Sequence, residues 1–348
     1  MEFMKNSNKL SMDKMSRRDF IKTVVLAGMG ISQITGCAVK TLKPEETQIN
    51  KGSSEATVVI IRSEKLAKPD RSFIKQILDT AIPEALGIES SIEAWKSLYK
   101  PSDVVGIKVN CIAPMLPTHP ELAYAIADSL IEIGIQPERI IIWDREDREL
   151  MSCGYKINKD GSGIRCYGTK PSVGYGDELI VSRSVGSRIS KILLRECTSI
   201  VNTPVLKDHN IAGMTLSLKN YFGVIENPNK FHGNNCDPYV ADLNLVPQIK
   251  EKNKLMVCDA IKILYEGGPT DCRPKYTWNY NGIIIGTDPV AVDQIGLMLI
   301  EEKRASEGLP PLPAVGRPVR YITTSADSEH KLGIKDPEKI KVVELSDI

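Results

Sequence analysis

Val104-Val105-Gly106-Ile107-Lys108-Val109-Asn110 is a short apolar, β-branched run that closes on polar groups. Such a run, bounded by breakers, reads as a strand buried on both faces. The same design recurs at residues 57–62, 139–143, 199–205, 255–257, 282–285 and 341–345. Helical patterns lie among these runs, at 70–86, 120–133, 187–195, 215–224, 237–251 and 289–304. Parallel neighbours need a crossover that packs back onto the sheet, so the alternation predicts an α/β fold. The expected architecture is a doubly wound, mostly parallel sheet with helices on both faces. Residues 145–185 break the rhythm, with Gly, Tyr and Ser scattered through weak periodicity, and are expected to form an insertion or lid.

Toward the N-terminus, Ser16-Arg17-Arg18-Asp19-Phe20-Ile21-Lys22 carries a twin-arginine pair, followed by an apolar run over 23–36 that is rich in Gly and Thr. A membrane-spanning helix needs roughly 20 apolar residues, more than this run supplies. The segment therefore reads as an export address of the twin-arginine (Tat) type, and the Tat export machinery as a partner. The run ends on Ile34-Thr35-Gly36-Cys37, which resembles a bacterial lipobox. If Cys37 is acylated, the mature protein is a membrane-anchored lipoprotein of the periplasm or cell envelope; the alternative is an ordinary Cys beside the signal. Residues 38–55 are polar and suit a flexible tether, leaving 56–348 as a single α/β domain.

Charge narrows the partners. The 45 basic and 44 acidic side chains are spread along the chain and leave a net charge of +1, which gives no electrostatic footprint for nucleic acid. The eight Cys include no C-x-x-C pair, so neither a disulfide framework nor a ferredoxin cluster motif is present. P-loop, G-x-S-x-G and H-E-x-x-H signatures are also missing, as is a convincing G-x-G-x-x-G after the first strand.

In doubly wound sheets ligands bind outside the carboxyl ends of the strands. Here those ends carry Lys108 and Asn110, Asp144, Lys207-Asp208-His209, Asp259, and Thr287-Asp288-Pro289. Lys108, Lys207, Lys219 and His232 are candidates for holding a small anionic ligand, because clustered cations offset a carboxylate or phosphate. His209 is the candidate general acid or base. Asp144 and Asp259 offer hard oxygens for a divalent metal such as Mg²⁺, Mn²⁺ or Ca²⁺, which would act as Lewis acid. Asp288 before Pro289 also reads as a helix N-cap, and the turn Tyr265-Glu266-Gly267-Gly268-Pro269 allows close backbone approach.

Several stretches together resemble the bacterial and archaeal family filed as domain of unknown function 362. They are Val201 through His209 (VNTPVLKDH), LSLKNYFG at 216–223, ADLN at 241–244, the Gly-rich turn after Asp259, and GTDPVAVD at 286–293. Gly106-Ile107-Lys108-Val109-Asn110 and Thr118-His119-Pro120-Glu121 extend the resemblance, which covers about residues 57–300. Asp208 departs from it, since the family more often has Thr there. Some relatives carry appended iron-sulfur Cys motifs that this chain lacks. Three classes of function stay open: a metal-dependent enzyme acting on a small anion, an accessory redox, iron-sulfur-related or cofactor-maturation protein, and a non-catalytic anion-binding lipoprotein.

Overall fold

The computed structural model describes residues 39–41, 55–269 and 272–346. Arg17, Arg18 and Cys37 lie outside these residues, as does most of 38–55, of which Val39–Thr41 forms strand β1. In chain order the other strands are β2 (Ala56–Arg62), β3 (Val105–Lys108), β4 (Ile140–Trp143), β5 (Arg165–Cys166), β6 (Leu179–Ser182) and β7 (Val185–Ser187). They are followed by β8 (Ser199–Asn202), β9 (Val205–His209), β10 (Gly213–Thr215), β11 (Asn253–Leu264), β12 (Thr277–Gly286) and β13 (Ile340–Ser346).

The main sheet runs β13-β2-β12-β11-β8-β3-β4-β5, with β9 paired to β11 and to β10. From β11 to β5 every pairing is parallel, whereas β12 is antiparallel to both its neighbours. Successive side chains leave a strand on opposite faces, and this splits the core in two. Val59, Ile61, Ile140 and Ile142 pack on one face with the helices Arg71–Leu86 and Pro120–Glu132. Val58, Ile60, Ile141 and Trp143 pack on the other with Pro289–Ser306 and Arg320–Ser325. Helix boundaries follow local chemistry. Asp70 accepts from the Phe73 N–H at 2.9 Å, and Gly87 closes that helix at φ 65°. Asp288 caps its helix as the sequence suggested, accepting from Val290 and Ala291 with Pro289 in the first turn.

The mostly parallel α/β architecture stands, and several details differ from the sequence expectation. The run 199–205 is two strands, broken at Thr203-Pro204, so Lys207, Asp208 and His209 belong to β9 itself rather than to a loop beyond a strand. The pattern at 187–195 yields only a single wide turn at Ile192–Glu196, and that at 237–251 two short helices, Tyr239–Asn244 and Pro247–Lys250. Helix Ser91–Leu98 was not read from the sequence. Within 145–185, β5 extends the main sheet beside β4, while β6 joins β1 and β7 in a separate small sheet.

Candidate functional site

Strands β3, β4 and β8 end level with one another: Lys108 stands in register with Trp143 on one side and Asn202 on the other. Beyond these ends lies a cavity of about 410 Å³, lined among others by Lys108, Asp144, Lys207, His209, Lys219 and His232. All four anion candidates, the candidate acid–base and one of the two metal candidates thus meet in one place. Asp259 does not line it.

The three lysines have different electrostatic partners. Lys108 is buried and donates to Asp144 Oδ1 at 2.7 Å and to the Val109 carbonyl at 2.7 Å, so its charge is neutralised. Lys207 is fully buried and donates to Asn110 Oδ1 at 2.6 Å. Lys219, also buried, lies 3.3 Å from His232 Nε2. Among the described residues neither Lys207 nor Lys219 forms an ion pair with a carboxylate. Burial pushes the Lys207 ammonium down to about 8. It pushes Lys219 down to about 8 as well, with the Lys207 charge adding to the effect. An amide ladder fixes the floor: Asn110 Nδ2 donates to Asn220 Oδ1 (2.9 Å), and Asn220 Nδ2 to Asn202 Oδ1 (2.7 Å). Sequence reasoning missed this ladder; the only cue was an Asn at each of these strand or helix ends.

The histidines are held in defined tautomers by their neighbours. His209 Nδ1 accepts the backbone N–H groups of Ile211 and Ala212, each at 3.1 Å, which leaves the ring proton on Nε2. Burial, then the charges of Lys219 and the ring of His232, push His209 down to about 2. The ring is therefore neutral and presents its Nε2–H as a hydrogen-bond donor. His232 Nδ1 faces the Pro228 carbonyl at 3.1 Å, so its Nε2 presents a lone pair to Lys219. Burial, then the Lys219 charge, lowers the His232 pKa too. The two imidazoles stack with centroids 5.4 Å apart, and Phe222 meets His232 edge-on at 5.4 Å.

Carboxylates expected to share a metal are occupied elsewhere. Asp144 accepts from Lys108 and, through Oδ2, from the Cys111 N–H at 2.6 Å. Asp259 accepts from the His119 N–H (2.8 Å), from His119 Nδ1 (2.7 Å) and from the Ile261 N–H (3.1 Å). Of the two only Asp144 lines the cavity, and among the described residues no group of three or more His, Cys, Asp or Glu is set to hold a metal ion. The Asp259 charge raises the pKa of His119, a dyad that ties the loop after β3 to β11.

Residues outside the cavity fix its walls. Alternation along β9 turns Asp208 away from Lys207 and His209, toward Arg317 Nη1 at 2.8 Å and the Gly268 N–H at 2.9 Å. The Asp at this departing position is thus a structural anchor for the segment carrying Arg317. Asp293 is buried and accepts from the Ser217 N–H, the Ser217 hydroxyl and the Leu218 N–H, fixing the start of the short helix Ser217–Asn220 that carries Lys219. Glu266 pairs with Arg304 and with Arg317 at 2.7 Å, so the Gly-rich turn is clamped, and Pro269 alone of its residues lines the cavity. Gly223 lies over the Lys108–Asp144 pair, where a Cβ would stand 3.1 Å from both charged groups.

The sequence profile of the family described as Domain of unknown function (DUF362) matches residues 105–298, a span that holds every cavity residue named above. The chain belongs to this family. No curated protein matches this DUF362 chain. Five solved chains are similar. One is a structural-genomics crystal structure from Thermotoga maritima, 11% identical over 58% of this chain and 53% of that one, with a TM-score of 0.36. Another is the lactate racemase apoprotein from Thermoanaerobacterium thermosaccharolyticum, 11% identical over 61% and 53%, also with a TM-score of 0.36. The DUF362 chain spans about half the length of these two structures. No helix among the described residues is long and apolar enough to cross a membrane.

Proposed function

We propose that the protein binds a small anion at the ends of β3, β4 and β8, with Lys207 and Lys219 supplying the charge and His209 Nε2–H a neutral donor. One observation carries this reading: two buried ammonium groups face a common cavity, and among the described residues neither forms an ion pair with a carboxylate. Burying an unpaired charge is costly, and a bound anion offsets that cost. Lys108 is already neutralised by Asp144, so its part is to shape the floor. Titration calorimetry with inorganic phosphate and with acetate tests the reading. Saturable heat at one site per chain is expected, and silence from both anions would count against it.

Affinity for the anion is expected to fall as pH rises through about 8. The free protein's two lysines lose protons there, and each must be recharged for the anion to bind, at a penalty of about tenfold per pH unit per lysine. Lysines near 10.5 would give flat affinity across the same range. Calorimetry from pH 6.5 to about 9.5 distinguishes the two.

The N-terminal sequence supports a further reading: export by the twin-arginine route and attachment to the membrane through an acylated Cys37. Replacing Arg17 and Arg18 together by Lys is expected to hold the protein in the cytoplasm, because two guanidinium forks are not equivalent to ammonium point charges. Cys37→Ala is expected to move the exported protein into the soluble envelope fraction. Unchanged fractionation of both variants would contradict the pair of assignments.

A further inference from the structure

We infer that Lys219 is a nucleophilic amine that forms a reversible imine with 2-oxo acids, whose carboxylate Lys207 holds. The inference rests on the anion-site reading and adds a covalent step to it. Of the three cavity lysines, Lys108 is committed to Asp144, and Lys207 donates to an amide oxygen that cannot take its proton. Lys219 alone among them lies against a basic nitrogen, His232 Nε2 at 3.3 Å. That nitrogen is free of a proton because the Pro228 carbonyl engages the other one. A proton can therefore leave the ammonium along an existing hydrogen bond. A desolvated lysine beside another cation is also the setting that activates an amine at neutral pH, in line with the depressed pKa of Lys219.

The surrounding groups suit such a substrate. The Lys219 nitrogen attacks the carbonyl carbon, forming a C–N bond while the π pair moves onto oxygen. His232 carries the ammonium protons to that oxygen, which leaves as water, so ammonium and ketone become protonated imine and water with no oxidant or reductant. His209 Nε2–H hydrogen-bonds the developing oxygen without surrendering its proton, as a neutral ring with a high N–H affinity must. The stacked rings of His209 and His232 place this donor beside the proton carrier. Ile112, Ile211, Phe222 and Pro228 line the remainder of the cavity and suit an apolar side chain on the oxo acid.

The test uses the full-length protein, pyruvate as probe and sodium cyanoborohydride to reduce any imine to a stable amine. A single carboxyethyl group on Lys219 is expected by intact mass and peptide mapping, with labelling slowed by excess acetate, which occupies the site but has no ketone. Lys219→Arg, which keeps the cation but is not nucleophilic, is expected to lose that adduct. Calorimetry with pyruvate and acetate separates the two levels of the claim. If both acids bind but Lys219 stays unlabelled, or is labelled no faster than in the unfolded chain, the imine is overturned and the anion site stands. If neither acid nor phosphate binds, both are overturned.

Discussion

Lys207→Met is expected to raise the stability of the ligand-free protein and to abolish anion binding. Lys207 is fully buried, and its drop from 10.5 to about 8 corresponds to about 3 kcal/mol of unfavourable charge burial at neutral pH. Methionine fills similar space without the charge. The variant forfeits the 2.6 Å bond to Asn110 Oδ1, but Asn110 lines the cavity, so the freed acceptor can meet water and the cost stays near the lower end of about 1–3 kcal/mol, offsetting part of the gain. Binding should weaken at least tenfold, since a charge-assisted contact contributes about 1.5–3 kcal/mol. Urea unfolding without ligand and calorimetry with phosphate measure the two effects. A less stable variant with unchanged affinity would show that Lys207 supports the fold and not a ligand.

The same substitution at Lys108 is expected to have the opposite sign. Lys108→Met leaves the Asp144 carboxylate buried without its cation, and breaking a buried pair from one side costs about 3–5 kcal/mol. Removing both charges, as Lys108→Met with Asp144→Leu, should recover much of that loss, because an apolar pair of similar volume is often neutral. A double-mutant cycle in urea gives the coupling directly. A loss below about 1 kcal/mol for the single variant, the range of exposed pairs, would mean that water reaches the pair and that the cavity floor is open.

The strands β3 and β4 were legible in the sequence because each is a continuous apolar run, and buried parallel strands have that composition. β9 was not. Val205-Leu206-Lys207-Asp208-His209 ends in three polar residues that look like a loop until both faces are known to meet polar partners, the cavity on one side and Arg317 on the other. The cation cluster was readable from strand ends and from Lys219 at the start of the next helix. Charge state was not, because it depends on contacts distant in sequence: Lys108 meets Asp144 across 36 positions, and Asp259 meets His119 across 140. The neutral form of His209 follows from two backbone N–H groups only two and three residues away, yet no residue type at those positions announces it. Strand direction was equally hidden, since the Gly282–Gly286 half of β12 is as apolar as a parallel neighbour would be and runs the other way.

The placement of β2 bears on how this family is cut for expression. β2 sits between β12 and β13, yet β2 and β13 both fall outside the matched span of 105–298. A fragment trimmed to that span would bare the Gly282–Gly286 edge, where β2 supplies the backbone partners of every residue, and would lose the helix Arg71–Leu86 that covers one face. It would also lose Arg317, the counter-ion of Asp208 behind the cavity, and His330, which bridges Asp242 and Asp327. An unpaired sheet edge invites association with other chains. The stretch by which relatives recognise one another is thus shorter than the stretch that must fold together, and the shortest viable clone is set by the outer strands.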